Sequence, residues 1–142
     1  VWGDPLLYGS TIRILQAILA SGRCAFEFEV IPGITSVQAL AAQHKVPLNR
    51  IGRSIEITTG RRLVAGQVSD ADSVVVMLDA QDAYHQVADQ EIEIYWGAYL
   101  GTPDEILISG KLKDVADEIE RVRKAARLAN GWIMDTYLLR KP

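Results

Sequence analysis

The sequence has 142 residues, of which 49% are hydrophobic and 23% charged, and its formal net charge is -3. This composition excludes an intrinsically disordered chain, because it supplies enough apolar side chains for a buried core. The net charge gives no overall positive field for nucleic acid, and no apolar run reaches the roughly 18 residues of a membrane span. The single cysteine, Cys24, cannot form an internal disulfide and favours a reducing, cytoplasmic location.

The first third of the chain predicts two helices with a strand between them. Apolar residues recur at helical spacing from Thr11 to Ser21. Alternating Phe and Glu predict a strand from Phe26 to Ile31, which Pro32-Gly33 ends. A second helix, rich in small residues, is predicted from Ser36 to Gln43.

The rest of the chain predicts strands alternating with helices. The predicted strands are Ile55 to Thr59, Ser73 to Leu78, Glu91 to Tyr99, Glu105 to Ser109 and Trp132 to Leu139. The clearest amphipathic helix begins at Leu112 and ends before Gly131, whereas Ala80 to Gln90 is compatible with either a helix or a loop. This order favours an α/β fold with a mixed sheet, because the strands between 91 and 109 are close neighbours.

Two glycine-bearing loops each follow a predicted strand and precede a helix. They are Gly3 to Gly9 and Val30 to Ser36. Ligands of open α/β sheets bind beyond the carboxyl ends of strands, where glycine lets backbone amides approach closely. Taken singly, each loop is better explained as an ordinary turn, with Thr35 or Ser36 capping the following helix.

Taken together, four ordered segments resemble the tetrapyrrole methylase family, which includes the uroporphyrinogen and precorrin methyltransferases. They are GDPLLYG (3–9), VIPGITS (30–36), VVVML (74–78) and GTPDEILISGKL (101–112). Two further segments, TTGRR (58–62) and GWIMDTYLLR (131–140), are similar to the deacetylating branch that forms precorrin-6A.

The resemblance implies a two-domain protein that holds S-adenosyl-L-methionine (SAM) as co-substrate in the cleft between its domains, without a metal. Residues 1–31 would be the end of an N-terminal α/β domain and 32–142 a C-terminal α/β domain. The cofactor-contacting residues implied are Gly3, Asp4, Leu7, Thr35, Ser36, Met77 and Leu100. Without the resemblance, Met77 would be core filler and Asp4 part of a turn. The family's N-terminal glycine-rich loop is missing from this sequence, so we expect the fragment to be inactive alone.

The implied reaction is C-methylation of precorrin-5 to precorrin-6A with release of acetate, in cobalamin biosynthesis. Such a transfer needs alignment and exclusion of water, and alignment can supply about 7–11 kcal/mol. No catalytic dyad is evident, and Asp79, Tyr84 and His85 are unassigned candidates for the deacetylation base. His44 and His85 have no third ligand at a recognisable spacing, so no metal site is predicted.

The substrate's carboxylates predict arginine partners, because the guanidinium fork suits carboxylates. Arg61 and Arg62 are favoured over Arg50 and Arg53, for which a solvated surface role is equally compatible. We expect a tetrapyrrole as the small-molecule partner, no nucleic-acid or membrane partner, and a homodimer. The alternatives are another methyltransferase of the family and a non-catalytic SAM-binding or dimerisation module.

Overall fold

The computed structural model describes residues 6–88 and 91–142. Contacts among these residues divide the chain into two compact units, which meet in sequence at the Ser36–Val37 peptide bond. The predicted boundary after Ile31, and the assignment of its two sides to an N-terminal and a C-terminal domain, stay predictions. Within the described ranges, no helix is both long and apolar enough to cross a bilayer.

The first unit contains helix α1, Thr11–Ala20, which was predicted. The prediction of a strand over residues 26–31 is wrong, because these residues form no strand in the structure. The alternation of Phe and Glu favours extended backbone, but a strand also needs a neighbouring strand for its hydrogen bonds. The rings of Phe26 and Phe28 lie near one another instead, with centroids 6.3 Å apart.

A five-stranded mixed sheet forms the centre of the second unit, with the order β1-β2-β5-β3-β4. The strands are β1 (Ile55–Thr59), β2 (Ser73–Met77), β3 (Glu93–Ala98), β4 (Ile106–Lys111) and β5 (Asp135–Arg140). Strands β1 and β2 are parallel, whereas the other three pairs are antiparallel. The predicted α/β class and mixed sheet are therefore confirmed.

Helices cover both faces of this sheet. They are α2 (Ser36–His44), α3 (Gly60–Val64), α4 (Leu112–Asn130) and a 3₁₀ helix (Ala83–Val87). On one face, His44 of α2 donates a hydrogen bond from Nε2 to the carbonyl oxygen of Trp96 at 3.0 Å. The opposite face carries the main apolar core, in which Tyr84, Ile119 and Tyr137 are fully buried.

Helix α4 follows the predicted amphipathic pattern, and its buried positions form one stripe. These positions are Leu112, Ala116, Ile119, Arg123 and Ala126. Each fully buried Leu or Ile contributes roughly 1.5–3 kcal/mol. The helix ends before Gly131, whose φ of 74° is a conformation that glycine adopts without a Cβ penalty.

Three local features differ from the sequence-based expectation. Helix α3 was not predicted, because five residues are too few to establish a helical period. The ambiguous segment from Ala80 contains the 3₁₀ helix, although Asp89 and Gln90 lie outside the described residues. Strand β5 begins three residues later than predicted, and the carbonyl of Trp132 accepts a hydrogen bond from the Tyr99 hydroxyl at 2.6 Å.

Candidate functional site

The carboxyl ends of β1, β2 and β3 lie at one end of the sheet, which we call the Met77 end. One lateral row crosses the sheet there, in the order Thr59, Met77, Thr136, Gly97 and Leu107. Side chains of laterally paired residues point to the same face of a sheet. Met77 therefore shares a face with position 97, two strands and roughly 9–10 Å away.

Leu100 folds back over this row. A Cβ atom at residue 97 would lie 2.7 Å from Cδ2 of Leu100 and 2.9 Å from Cδ1 of Leu40. Glycine at position 97 thus leaves the space that Leu100 fills. The structure brings two predicted cofactor contacts, Met77 and Leu100, to one face at one end of the sheet.

The turn that follows β2 presents an apolar side chain to solvent. Leu78 has a φ of 53° and its side chain is 67% exposed. A left-handed conformation at a residue other than glycine costs of order 1–3 kcal/mol and persists only where its surroundings enforce it. Tyr99, which follows β3 at the same end of the sheet, has a φ of 50°. Both turns at the Met77 end are therefore strained.

Backbone groups at Leu100 are available to a ligand. Among the described residues, neither its N–H nor its carbonyl group has a hydrogen-bond partner. The preceding Tyr99 is anchored firmly, because its N–H donates to the carbonyl of Met134 at 3.0 Å and its hydroxyl donates to the carbonyl of Trp132. A fixed donor and acceptor next to apolar side chains suit the edge of a flat heterocycle.

A buried polar cluster lies behind the β2 turn. Oδ2 of Asp79 accepts hydrogen bonds from the N–H of Ala83 and the hydroxyl of Tyr137, both at 2.7 Å, and Oδ1 accepts from the N–H of Gln81 at 2.9 Å. Burial raises the pKa of Tyr137 far above its ordinary value, and the nearby Asp79 carboxylate raises it further. Tyr137 is therefore a protonated donor.

Arg123 joins this cluster from α4. Its Nε lies 3.0 Å from Oδ2 of Asp135, its Nη1 lies 3.3 Å from Oδ1 of Asp82, and its Nη2 donates to the carbonyl of Asp79. Arg123 was not predicted as a site residue, yet its position in the sequence carries a signal. A charged residue interrupts the buried apolar stripe of α4, and a buried charge requires partners.

The predicted substrate arginines, Arg61 and Arg62, lie on α3, directly after β1 and hence at the Met77 end. Arg62 donates from Nε and Nη2 to the carbonyl of Gln67, at 3.3 and 3.1 Å. Arg61 has no partner for its guanidinium among the described residues. Arg50 is occupied elsewhere, because it pairs with Asp72 and donates to the carbonyls of Lys141 and Pro142.

The three unassigned candidates for a base have other partners. Both carboxylate oxygens of Asp79 accept hydrogen bonds, as described above. The hydroxyl of Tyr84 donates to Oδ1 of Asp82 at 2.9 Å, and burial, reinforced by that carboxylate, raises the pKa of Tyr84. His85 pairs with Glu120 at 3.0 Å. The deacetylation base stays unassigned.

The remaining predicted contacts belong to the first unit or lie outside the described residues. Gly3 and Asp4 are outside them. Leu7 and Thr35 are half-buried, as is Ser36, which begins α2. These residues stay predicted cofactor contacts.

One group of three side chains has the donor types of a metal site. Ligand atoms of His85, Asp117 and Glu120 lie within 4.8 Å of one another on the surface. Sequence spacing did not indicate this group, because Asp117 and Glu120 come from α4. Glu120 also forms an ion pair with Lys124, so surface ion pairing accounts for two of the three side chains, His85 and Glu120.

A family model described as "Tetrapyrrole (Corrin/Porphyrin) Methylases" matches residues 1–116. The chain belongs to this family. Precorrin-6A synthase [deacetylating] from Sinorhizobium sp is 58% identical over 141 residues, which are 99% of the chain and 54% of that protein. The chain therefore spans about half the length of this relative.

Solved structures show the tetrapyrrole methylase fold as well. A cobalamin synthesis related protein (CobF) from Corynebacterium diphtheriae matches with a TM-score of 0.91 and 43% identity, over 99% of the chain and 59% of that protein. Uroporphyrin-III C-methyl transferase from Thermus thermophilus, solved with S-adenyl homocysteine, matches in fold with a TM-score of 0.62 and 18% identity, over 98% of the chain and 63% of that protein.

Proposed function

We propose that the full-length protein containing this chain transfers a methyl group from SAM to a carbon of precorrin-5 and forms precorrin-6A with release of acetate. Membership of the tetrapyrrole methylase family supports the methyltransferase class. The relative named precorrin-6A synthase, 58% identical over 99% of the chain, supports the substrate and the deacetylation.

The main support for a SAM site is that Met77 and the side chain of Leu100 lie at the same face of the sheet. Met77 is buried in the row that Leu100 covers, and the exposed Leu78 beside it presents an apolar side chain that can lie against the face of an adenine ring. The N–H and carbonyl of Leu100 can pair with polar atoms at the edge of that ring. These residues fit a nucleoside, and the proposal adds Gly3, Asp4, Leu7, Thr35 and Ser36 from the family pattern.

When bound, SAM supplies an electrophilic methyl group on a sulfonium. The macrocycle carbon forms the new C–C bond, and the electron pair of the broken C–S bond stays on sulfur. The protein's contribution is to orient the two reactants and exclude water, which can supply about 7–11 kcal/mol. Loss of the acetyl group as acetate additionally consumes water.

Arg61 is the better placed of the two proposed substrate-binding arginines. Its guanidinium is exposed at the Met77 end and has no partner among the described residues. Nε and Nη2 of Arg62 donate to the carbonyl of Gln67, whereas its Nη1 makes no hydrogen bond among the described residues. We propose that both bind peripheral carboxylates of the precorrin, and that the active protein is a cytoplasmic homodimer that needs no metal.

The test is an anaerobic assay of the full-length protein with SAM and precorrin-5, in which S-adenosylhomocysteine (SAH) and acetate are quantified separately. One equivalent of each per turnover is expected. SAH without acetate, or turnover only with another tetrapyrrole, would point to a different methyltransferase of the family. Failure to bind SAH in calorimetry, or ATP binding at least as tight, would contradict the SAM site itself.

A further inference from the structure

The two strained turns at the Met77 end are both tied to one helix. The carbonyl of Asp79, in the β2 turn, accepts a hydrogen bond from Nη2 of Arg123 on α4. The hydroxyl of Tyr99, in the β3 turn, donates to the carbonyl of Trp132, two residues after α4 ends, and packs 3.4 Å from the carbonyl of Ala126 on α4. Helix α4 is thus a common support for the turns that carry Leu78 and Leu100.

Arg123 makes more polar contacts with the segments around the two turns than Ala126 does. Besides the Asp79 carbonyl, it contacts Asp82, which starts the 3₁₀ helix, and Asp135, which starts β5. Oδ2 of Asp135 also accepts a hydrogen bond from Nε1 of Trp96 on β3, at 2.9 Å. The Arg123 side chain is 8% exposed. One guanidinium therefore links the β2 turn to the two strands that separate it from Leu100.

The geometry of three acceptors around one side chain is specific to arginine. A guanidinium offers several N–H donors in a rigid plane, whereas an ammonium group is a single point on a flexible stem. Lysine at this position retains the charge but cannot reach all three acceptors at once. The spacing of the two turns should then relax.

We propose that Arg123 is a positioning residue for the cofactor site: it holds the Met77–Leu78 turn at a fixed distance from the Leu100 turn through α4 and Asp135. The inference rests on the proposed SAM site. Arg123 contacts no predicted ligand atom and acts only through the turns it holds. Asp135 and Tyr137, both in the segment similar to the deacetylating branch, belong to this support.

The test compares Arg123→Lys with Arg140→Lys in the full-length protein. Arg140 is also a buried arginine on the same sheet, and it donates to the carbonyl of Pro47 and lies over the Tyr95 ring. It lies at the other end of β5, roughly 16 Å from Asp135. Arg140→Lys is therefore the same substitution of a buried arginine, made away from the Met77 end. The measurements are the Kd for SAH, KM for SAM, kcat and the melting temperature.

Arg123→Lys is expected to raise the Kd for SAH and the KM for SAM roughly tenfold to a hundredfold, with a smaller change in kcat. Arg140→Lys should lower the melting temperature and leave both constants within about twofold of wild type. An unchanged Kd in folded Arg123→Lys, or a rise in both variants that follows their loss of stability, overturns the positioning role.

If Arg123→Lys does not fold, Asp82→Asn replaces it, because this change removes the negative charge from the longest of the three contacts, weakens that contact and leaves Arg123 in place. A Kd raised about threefold supports the inference, and a Kd equal to that of wild type contradicts it. Failure of the wild-type protein to bind SAH would instead reject the proposed function, which separates the two failures.

Discussion

The hydroxyl of Tyr137 lies 2.7 Å from Oδ2 of Asp79, and both side chains are buried. Tyr137 belongs to β5, whereas Asp79 follows Met77 by two residues in the turn after β2. The bond therefore joins the strand at the centre of the sheet to the turn that borders the candidate site. The same carboxylate begins the 3₁₀ helix by accepting the N–H of Ala83.

Removal of the hydroxyl in Tyr137→Phe should lower the free energy of unfolding by about 1–3 kcal/mol, because a buried carboxylate loses a donor. Urea denaturation of the full-length protein measures the change. Tyr95→Phe is the control, since Tyr95 donates to Glu93 near the surface, and its effect should stay within about 0.5 kcal/mol. Equal effects of the two changes would contradict the role given to Tyr137.

Gly60 leaves the space in which Asp79 lies. A Cβ atom at residue 60 would be 2.6 Å from Oδ1 of Asp79, and hydrogen bonds hold that side chain in place. Gly60→Ala should therefore destabilise the protein by about 1–3 kcal/mol. Gly9→Ala, where nothing lies within 4 Å, is the matched control and should have little effect. A neutral Gly60→Ala would mean that Asp79 can move freely.

Most of the sheet was predictable because its strands carry their own signals. The run from Ser73 is apolar at nearly every position, as a strand covered on both faces requires. The prediction of a strand from Phe26 to Ile31 was wrong for a different reason. Its alternation specifies which residues share a face but not whether a hydrogen-bonding neighbour exists.

The candidate site was predictable only in part. The family pattern indicated Met77 and Leu100, but the row through Thr136 and Gly97 depends on strand order, which a periodicity does not contain. Arg123 was missed because its three acceptors come from segments 12 to 44 residues away in sequence. Long-range polar networks of this kind leave only an indirect sign, such as one charge within an apolar stripe.

Glu56 should make stability depend on pH on the acid side. Hydrogen bonds from Ser69, with a smaller contribution from the charge of Arg62, hold the pKa of Glu56 below 4.5. A folded-state pKa below the unfolded value stabilises the protein above pH 4.5, and this contribution disappears as pH falls through the folded-state pKa. Glu56→Gln should therefore lower the urea midpoint at neutral pH.

The difference between Glu56→Gln and wild type should close once the pH falls well below 4.5. Glu118→Gln, which removes one negative charge from an exposed position of α4, controls for net charge. A difference that persists unchanged into acid would show that the substitution acts through packing and not through ionisation of Glu56.

A side chain at position 97 should disturb the proposed cofactor site. Gly97→Ala would place Cβ 2.7 Å from Cδ2 of Leu100 and displace that residue. We expect the Kd for SAH to rise roughly tenfold, equivalent to about 1.4 kcal/mol. The control, Ile94→Val, shortens a fully buried side chain on the opposite face of β3 and should lower stability by about 0.5–1.5 kcal/mol without weakening SAH binding. Comparable losses of binding in both variants would exclude a specific role for Leu100.

Arg61 and Arg53 lie near opposite ends of β1, and both are exposed arginines. If Arg61 binds a precorrin carboxylate, Arg61→Gln should raise the KM for the precorrin about tenfold or more, since a hydrogen bond to a charged group contributes about 1.5–3 kcal/mol. Arg53→Gln removes the same charge away from the Met77 end and should change that KM little. The KM for SAM distinguishes a precorrin contact from a SAM contact. A residue that contacts only the precorrin leaves the KM for SAM unchanged. A raised KM for SAM in Arg61→Gln would therefore place Arg61 at the SAM site and contradict the proposal.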